Sequence, residues 1–245
     1  MASNTVSFNT VSFNTMAFDL VIFDCDGVLV DSEVISCRVH AELLTAHGYP
    51  ISASEVRARF LGRSAREATR EVEAALGHAL PADFDARLKS HLLDAFAASL
   101  QPMPGIAAAL GQIALPVCVA SSGTPEKIAA SLTRTALLAR FAPHVFSAAQ
   151  VTRGKPAPDL FLLAAAEMGT EPVRCLVIED SVPGVTAARA AGMTAFGFCG
   201  GSHCEAGDAA RLVAAGAATI FDRMADLPGL IAQHLDRKET LATDR

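Results

Sequence analysis

The sequence predicts an α/β fold, with a doubly wound, Rossmann-like parallel sheet core and an all-helical cap inserted after the first strand. Short apolar runs that end at turn residues indicate the sheet, and Ala/Leu-rich segments with helical spacing separate these runs. The insertion is indicated by residues 31–100, which contain helical patterns but no convincing strand.

Six runs of β-branched and other apolar residues are the candidate strands. They are nearly continuously apolar, which is typical of parallel strands covered on both faces. The predicted strands are 18–23, 116–121, 144–148, 174–180, 194–198 and 218–221. The helices predicted between them are 125–138, 158–168, 182–191 and 205–215.

The inserted segment is predicted to hold four helices, over 33–47, 52–60, 64–76 and 82–99. Ser52 and Asp83 are suitable residues for helix starts, and Gly48 and Gly77 are suitable for helix ends. We therefore expect a core formed by 16–30 and 101–245 and a helical cap formed by 31–100. The two crossings, near 30–33 and 100–105, would act as hinges.

Composition limits the kinds of partner that the chain can have. Of the 245 residues, 51% are hydrophobic and 19% are charged, and the formal net charge is -6. With no block of Lys or Arg and no apolar run of roughly 20 residues, we expect neither a nucleic-acid nor a membrane partner. Six scattered cysteines without a CxxC pair favour a reducing, cytoplasmic compartment. We expect a monomer or a weak homodimer.

The N-terminus carries the pentapeptide VSFNT twice, at 6–10 and 11–15, followed by Met16. It has neither the basic start nor the long apolar stretch of a signal peptide. We expect 1–15 to be a disordered extension, and the alternative is a small added strand.

Polar residues end several of the predicted strands and should converge, because ligands bind outside the carboxyl ends of parallel strands. Asp24 and Asp26 follow the first strand, and a lysine lies in the loop after the third. The converging set is Asp24, Asp26, Ser121, Ser122, Lys155, Glu179 and Asp180. Clustered acids need a cation, a proton or both.

Phosphoryl transfer accounts for this combination of residues. Mg2+ prefers carboxylate, carbonyl and water oxygens and would join the acids to a phosphate that they otherwise repel. One Asp can then attack phosphorus while the second moves a proton to the leaving oxygen. Ser121 and Lys155 can hold the phosphoryl oxygens.

Four motifs in this order resemble those of the haloacid dehalogenase superfamily, in the branch with a helical cap after the first strand. They are DCDGV (24–28), VASSG (119–123), KPAPD (155–159) and EDSVPG (179–184). The branch includes β-phosphoglucomutase and sugar-phosphate phosphatases such as 6-phosphogluconate phosphatase. The resemblance implies a Mg2+-dependent phosphomonoester hydrolase for a small phosphorylated metabolite, such as a sugar or sugar-acid phosphate.

The resemblance also assigns roles to residues. It makes Asp24 the nucleophile and Asp26 the general acid/base, and it makes Ser121, Ser122 and Lys155 the phosphate ligands. Its metal ligands are Asp24, the Asp26 carbonyl, Glu179 and Asp180. Asp26 favours phosphate-ester chemistry, because dehalogenases and phosphonatases of this fold differ at that position.

A phosphosugar mutase is the alternative enzyme, and a catalytically silent binding protein is the alternative of another class. The mutase has a histidine ten residues after its general acid, where this chain has Ser36. The cap arginine of the mutase aligns with Ala65, although Arg63 and Arg66 flank it. Both departures favour the hydrolase.

Substrate choice is expected to depend on cap residues, and the candidates are Arg63, Arg66, Arg87 and Lys89. The alternative for each of them is a solvated helix face. Ser121 and Ser122 have the alternative of capping the helix that starts near Pro125. We expect CGGSHC (199–204) to be a loop near the cleft rather than a zinc site.

Overall fold

The structure is a computed structural model that describes residues 18–60 and 65–234, with no account of the side chains of residues 65 and 66. Six parallel strands form one sheet in the order β3-β2-β1-β4-β5-β6. The strands are β1 Leu20–Phe23, β2 Val117–Ser121, β3 Val145–Ser147, β4 Cys175–Glu179, β5 Thr194–Phe198 and β6 Thr219–Phe221. This sheet confirms the predicted fold class.

The strand register brings the polar strand ends together. Phe23, the last residue of β1, lies opposite Val119 of β2 and Ile178 of β4. The residues that follow these three positions therefore meet at one edge of the sheet. Asp24 lies at the centre of that edge, because β1 is flanked by β2 and β4.

Helices cover both faces of the sheet, since alternate residues of each strand point to opposite faces. Val21 and Phe23 belong to one apolar core, and Leu20 and Ile22 belong to the other. The helices that follow the inserted segment are α5 Ile106–Gln112, α6 Pro125–Arg134, α7 Leu138–Phe141, α8 Asp159–Glu167, α9 Val182–Ala190 and α10 Asp208–Ala214. A last helical segment covers 227–234.

The inserted segment contains only helices among its described residues. They are α1 Glu33–Ala46, α2 Ala53–Phe60, α3 Ala65–Leu76 and α4 Phe84–Ser99. A separate apolar cluster, which includes Leu44, Val56 and Phe84, holds these helices together. The division into core and cap stays a proposal.

The two chain crossings between the helices and the sheet run side by side. The amide of Asp31 donates to the carbonyl of Gln101 at 3.1 Å, and the amide of Met103 donates to that of Leu29 at 2.9 Å. An antiparallel bridge joins Val30 to Pro102. Any movement at the proposed hinges would therefore involve both crossings together.

Some helix predictions differ from the structure. The predicted helix 125–138 is two helices, α6 and α7, because Ala136 adopts a positive φ of 58° after the end of α6. Helix α5 is absent from the sequence predictions, because its seven residues are too few to show a helical repeat. The predicted extension, 1–15, lies outside the described residues. No helix in the described ranges has the length and apolarity needed to cross a bilayer.

Candidate active site

A cavity of about 620 Å³ lies at the carboxyl edge of the sheet, beneath the inserted helices. It is lined by all seven residues that the sequence predicts at the strand ends: Asp24, Asp26, Ser121, Ser122, Lys155, Glu179 and Asp180. The register of β1, β2 and β4 brings six of these side chains together, and Lys155 extends from the loop after β3.

Lys155 joins two of the acids. Its Nζ donates to Asp24 Oδ1 at 2.6 Å, to Glu179 Oε1 at 2.5 Å and to the carbonyl of Ala120 at 3.0 Å. Its side chain is only 5% exposed. Burial opposes the ammonium form, but the two carboxylates outweigh it and raise the pKa of Lys155. Lys155 therefore remains a cation beside Asp24.

Asp26 is bound by a second lysine, Lys127. Lys127 Nζ donates to Asp26 Oδ2 at 2.9 Å, and Ser32 Oγ donates to Asp26 Oδ1 at 2.6 Å. Burial would raise the pKa of Asp26, yet Lys127 and the hydroxyl of Ser32 hold it below its usual value. Burial raises the pKa of Asp24 well above its usual value, and the nearby acids add to this. The two aspartates thus occupy different electrostatic environments.

Asp180 is held by a histidine that was not predicted as a site residue. His203 Nε2 lies 3.1 Å from Asp180 Oδ2, and both side chains are buried. Burial opposes protonation, but contacts with Asp180 and Cys204 raise the pKa of His203 to about 10. A Cβ on Gly27, whose φ is 78°, would lie 1.9 Å from Asp180 Oδ2. Only glycine fits that approach.

Three of the acids could hold a metal ion. Asp24, Glu179 and Asp180 each offer an oxygen, and these oxygens lie within 4.8 Å of one another. Glu179 already accepts from Lys155 on Oε1 and from Ser181 Oγ, at 2.8 Å, on Oε2. The carboxylate of Asp26 is not part of this group, because Lys127 and Ser32 bind it.

The loop after β2 forms the wall of the cavity beside Asp24. Ser121 Oγ accepts from the amide of Gly123 at 3.1 Å, and Ser122 is exposed. Thr124 Oγ1 accepts from the amide of Lys127 at 3.3 Å and is the N-cap of α6. The alternative that Ser121 or Ser122 caps this helix is therefore wrong.

The inserted helices supply the opposite wall, and here the structure differs from the sequence-based candidates. Arg87 and Lys89 are exposed on α4 and do not line the cavity, and Lys89 Nζ lies 3.4 Å from Glu126 Oε2. Arg63 lies outside the described residues, and Arg66 is in α3 without a described side chain. Glu33 of α1 and Arg57 of α2 line the cavity instead.

Arg57 connects the inserted helices to residues that follow β5. Its Nη2 lies 2.8 Å from Asp208 Oδ2, and its Nη1 lies 2.8 Å from Glu205 Oε2. The side chains of Arg57 and Asp208 are 14% and 13% exposed. Neither of these residues, nor Lys127, was among the candidates predicted from the sequence. The lysine could have been found from its place in the first turn of the helix that follows the VASSG strand end.

The chain is similar in sequence to known proteins. A sequence model described as a haloacid dehalogenase-like hydrolase matches residues 18–192. The 6-phosphogluconate phosphatase of Escherichia coli is 32% identical over 73% of this chain and 81% of its own length. The fructose-1-phosphate phosphatase of the same species is 34% identical over 69% of this chain and 90% of its own length.

A solved structure is also similar to this chain. It is that of a haloacid dehalogenase-like protein from Agrobacterium tumefaciens, with a TM-score of 0.80 and 42% identity. The match covers 89% of this chain and 99% of that chain.

Proposed function

Because the chain belongs to the haloacid dehalogenase-like hydrolases and is a phosphatase, as its relatives are, we propose that it hydrolyses a sugar or sugar-acid phosphate through a phospho-aspartyl intermediate on Asp24. One observation carries this proposal. Asp24 is bound by Lys155, whereas Asp26, two residues away, is bound by a different cation, Lys127. Asp24 would be the nucleophile and Asp26 the acid. Because the pKa of Asp24 is raised, its role requires that a bound cation ionise it. Because the pKa of Asp26 is lowered, its role requires that the ester enter as its monoanion and supply the proton that Asp26 passes to the leaving oxygen.

We propose Mg2+ as the cofactor, and the donor chemistry of the site fits it. The ligand atoms available are carboxylate oxygens of Asp24, Glu179 and Asp180, which hard cations prefer. Asp24 and Asp180 would be the main ligands, because both oxygens of Glu179 already accept hydrogen bonds. When bound, the cation neutralises phosphoryl oxygens so that an anionic nucleophile can approach them.

The proposed reaction uses the residues as follows. A carboxylate oxygen of Asp24 attacks phosphorus, and the bond from phosphorus to the ester oxygen breaks. Asp26 gives its proton to that oxygen, and the alcohol leaves. Water then attacks the phosphorus of the acyl phosphate and gives a proton to Asp26. The bond between phosphorus and the Asp24 oxygen breaks, so that phosphate is released and the Asp24 carboxylate is restored.

The cations and donors around these two acids stabilise the charge that develops. Lys155 is within hydrogen-bond distance of Asp24 and can also contact the transferred phosphoryl group. Ser121 and Ser122 line the same cavity. Lys127 and Ser32 stabilise the carboxylate of Asp26 between its two proton transfers.

A panel of phosphate esters, assayed for phosphate release with and without Mg2+, tests the proposal. We expect the wild type to hydrolyse sugar phosphates and the Asp24→Asn variant to hydrolyse none. The thermal stability of the variant should be unchanged. A mutase would form an isomer with little phosphate release, and this is measured in the same samples with a bisphosphate primer. A silent binding protein would release no phosphate from any ester. We further propose a cytoplasmic monomer or weak homodimer.

A further inference from the structure

Glu33 differs from every other charged residue that lines the cavity. In the described part of the chain, the other acids of the lining each contact a lysine, an arginine or a histidine, and the bases contact acids. Glu33 has neither a hydrogen bond nor an ion pair among the described residues, although it is half-buried and lines the cavity.

An unpartnered carboxylate at such a position is unfavourable for the protein alone. Burial, together with the like charges of Asp26 and Asp180, raises the pKa of Glu33 to about 7, and the cations Lys127 and His203 oppose this only in part. Its place in the first turn of α1 gives it only the weak attraction of a helix N-terminus. Folding therefore does not account for a glutamate here, whereas a ligand with hydrogen-bond donors would.

The position of Glu33 shows which part of a substrate it would meet. The preceding residue, Ser32, is fixed to Asp26 by the 2.6 Å hydrogen bond from its Oγ. Asp26 is proposed to give a proton to the ester oxygen. The carbon atoms of the leaving alcohol therefore lie on the Asp26 side of the phosphorus. Glu33 is therefore on the side of the leaving group and away from the transferred phosphoryl group.

We propose that Glu33 is a specificity-determining residue that accepts hydrogen bonds from hydroxyl groups on the leaving alcohol. The chemical class selected is a polyhydroxylated phosphate ester over an alkyl or aryl ester of the same size. A site built to hydrogen-bond a hydroxyl rejects an analogue that lacks it much more strongly than an apolar pocket does. This inference rests on the proposed phosphatase activity.

Two esters with the same six-carbon chain test the assignment: sorbitol 6-phosphate, with five free hydroxyls, and n-hexyl phosphate, with none. The value of kcat/KM is measured for both esters in the wild type, Glu33→Ala and Glu33→Gln. Glu55→Gln is the matched control, because Glu55 is also a glutamate in the first turn of a helix but does not line the cavity. Thermal unfolding of each variant reports on the fold.

We expect Glu33→Ala to lower kcat/KM for sorbitol 6-phosphate by roughly 10- to 100-fold, mostly through KM, since a charged hydrogen bond is lost. Hydrolysis of hexyl phosphate should change by less than about twofold, since it makes no such bond. Glu33→Gln should have a smaller effect on sorbitol 6-phosphate, because the amide oxygen still accepts. Glu55→Gln should leave both esters unchanged.

An equal change for both esters, or no change for sorbitol 6-phosphate, overturns the role of Glu33 while leaving the phosphatase activity intact. A third ester, 6-aminohexyl phosphate, separates hydroxyl from ammonium recognition. If it alone depends on Glu33, the hydroxyl assignment is overturned. If the wild type hydrolyses none of the esters, the proposed function itself fails, and the role of Glu33 fails with it.

Discussion

Lys127 Nζ lies 2.9 Å from Asp26 Oδ2, so the proposed acid of the reaction is bound by a lysine from another part of the chain. The same ammonium lies 5.5 Å from the centre of the Phe96 ring, which is buried in α4. Lys127 therefore contacts both the acid and the last inserted helix. Its position depends on the packing of α4 against α6.

Replacement of Lys127 by Met should reduce activity strongly. We expect kcat/KM for a sugar phosphate to fall on the order of 100-fold, because a fixed positive charge beside the reacting groups is lost. Lys127→Arg should retain more activity than Lys127→Met, since the charge is kept. Steady-state kinetics measure the effect, and equal activity of the two variants would show that charge at this position is unimportant.

Asp26→Asn should affect substrates according to their leaving groups. An alcohol needs a proton as it leaves, whereas p-nitrophenolate leaves readily without one. We expect a loss of roughly 10²- to 10⁴-fold in the initial phosphoryl transfer from a sugar phosphate, and a much smaller loss from p-nitrophenyl phosphate. Single-turnover kinetics separate this step from hydrolysis of the phosphoenzyme. Equal losses for the two esters would count against Asp26 as the acid.

Gly184 in α9 should tolerate no side chain. A Cβ there would lie 1.9 Å from the carboxyl carbon of Glu179, so Gly184→Ala must displace the carboxylate that binds Lys155. We expect lower activity and a lower melting temperature. The matched control is Gly111→Ala in α5, where nothing lies within 4 Å of the added Cβ.

The control variant, Gly111→Ala, should not lower the thermal stability. Alanine favours a helix over glycine by about 0.5–1 kcal/mol, so Gly111→Ala should be neutral or stabilising. Thermal unfolding and activity are measured for both variants. Similar behaviour of the two would contradict the steric account of Gly184.

The ion pair of Arg57 with Asp208 should help to hold the inserted helices over the cavity. We expect Arg57→Met and Asp208→Asn each to raise KM, because the wall of the cavity that α2 supplies is less firmly held. A double-mutant cycle on kcat/KM should give a coupling of roughly 1 kcal/mol. Additive effects would show that the pair does not act as a unit. Arg38→Met is a suitable control, since Arg38 pairs, among the described residues, only with exposed Glu42.

Much of the fold could be predicted from sequence because it depends on local patterns. The predicted strands agree with the structure to within two residues at each end, since buried parallel strands are continuously apolar. Six of the seven residues converge because the parallel sheet aligns the ends of β1, β2 and β4, and Lys155 reaches them from the loop after β3. These features require only the strand pattern and the topology.

The remaining site residues depend on packing that no local pattern records. Lys127 is 101 positions from Asp26, and Arg57 is 151 positions from Asp208. Whether Arg57, Arg87 or Lys89 faces the cavity depends on how each inserted helix is rotated against the sheet domain. All three residues lie on helices with exposed polar faces, so their sequence spacing could not distinguish them.

The most direct test of the central claim is to trap the phosphoryl group on Asp24. The Asp26→Asn variant is mixed with ³²P-labelled p-nitrophenyl phosphate and Mg2+, quenched in acid and digested with a protease. We expect label on the peptide that contains Asp24, released by hydroxylamine as for an acyl phosphate, and no label when Asp24→Asn is added. Release of p-nitrophenol without labelled protein, or label on a different residue, would contradict the proposed mechanism.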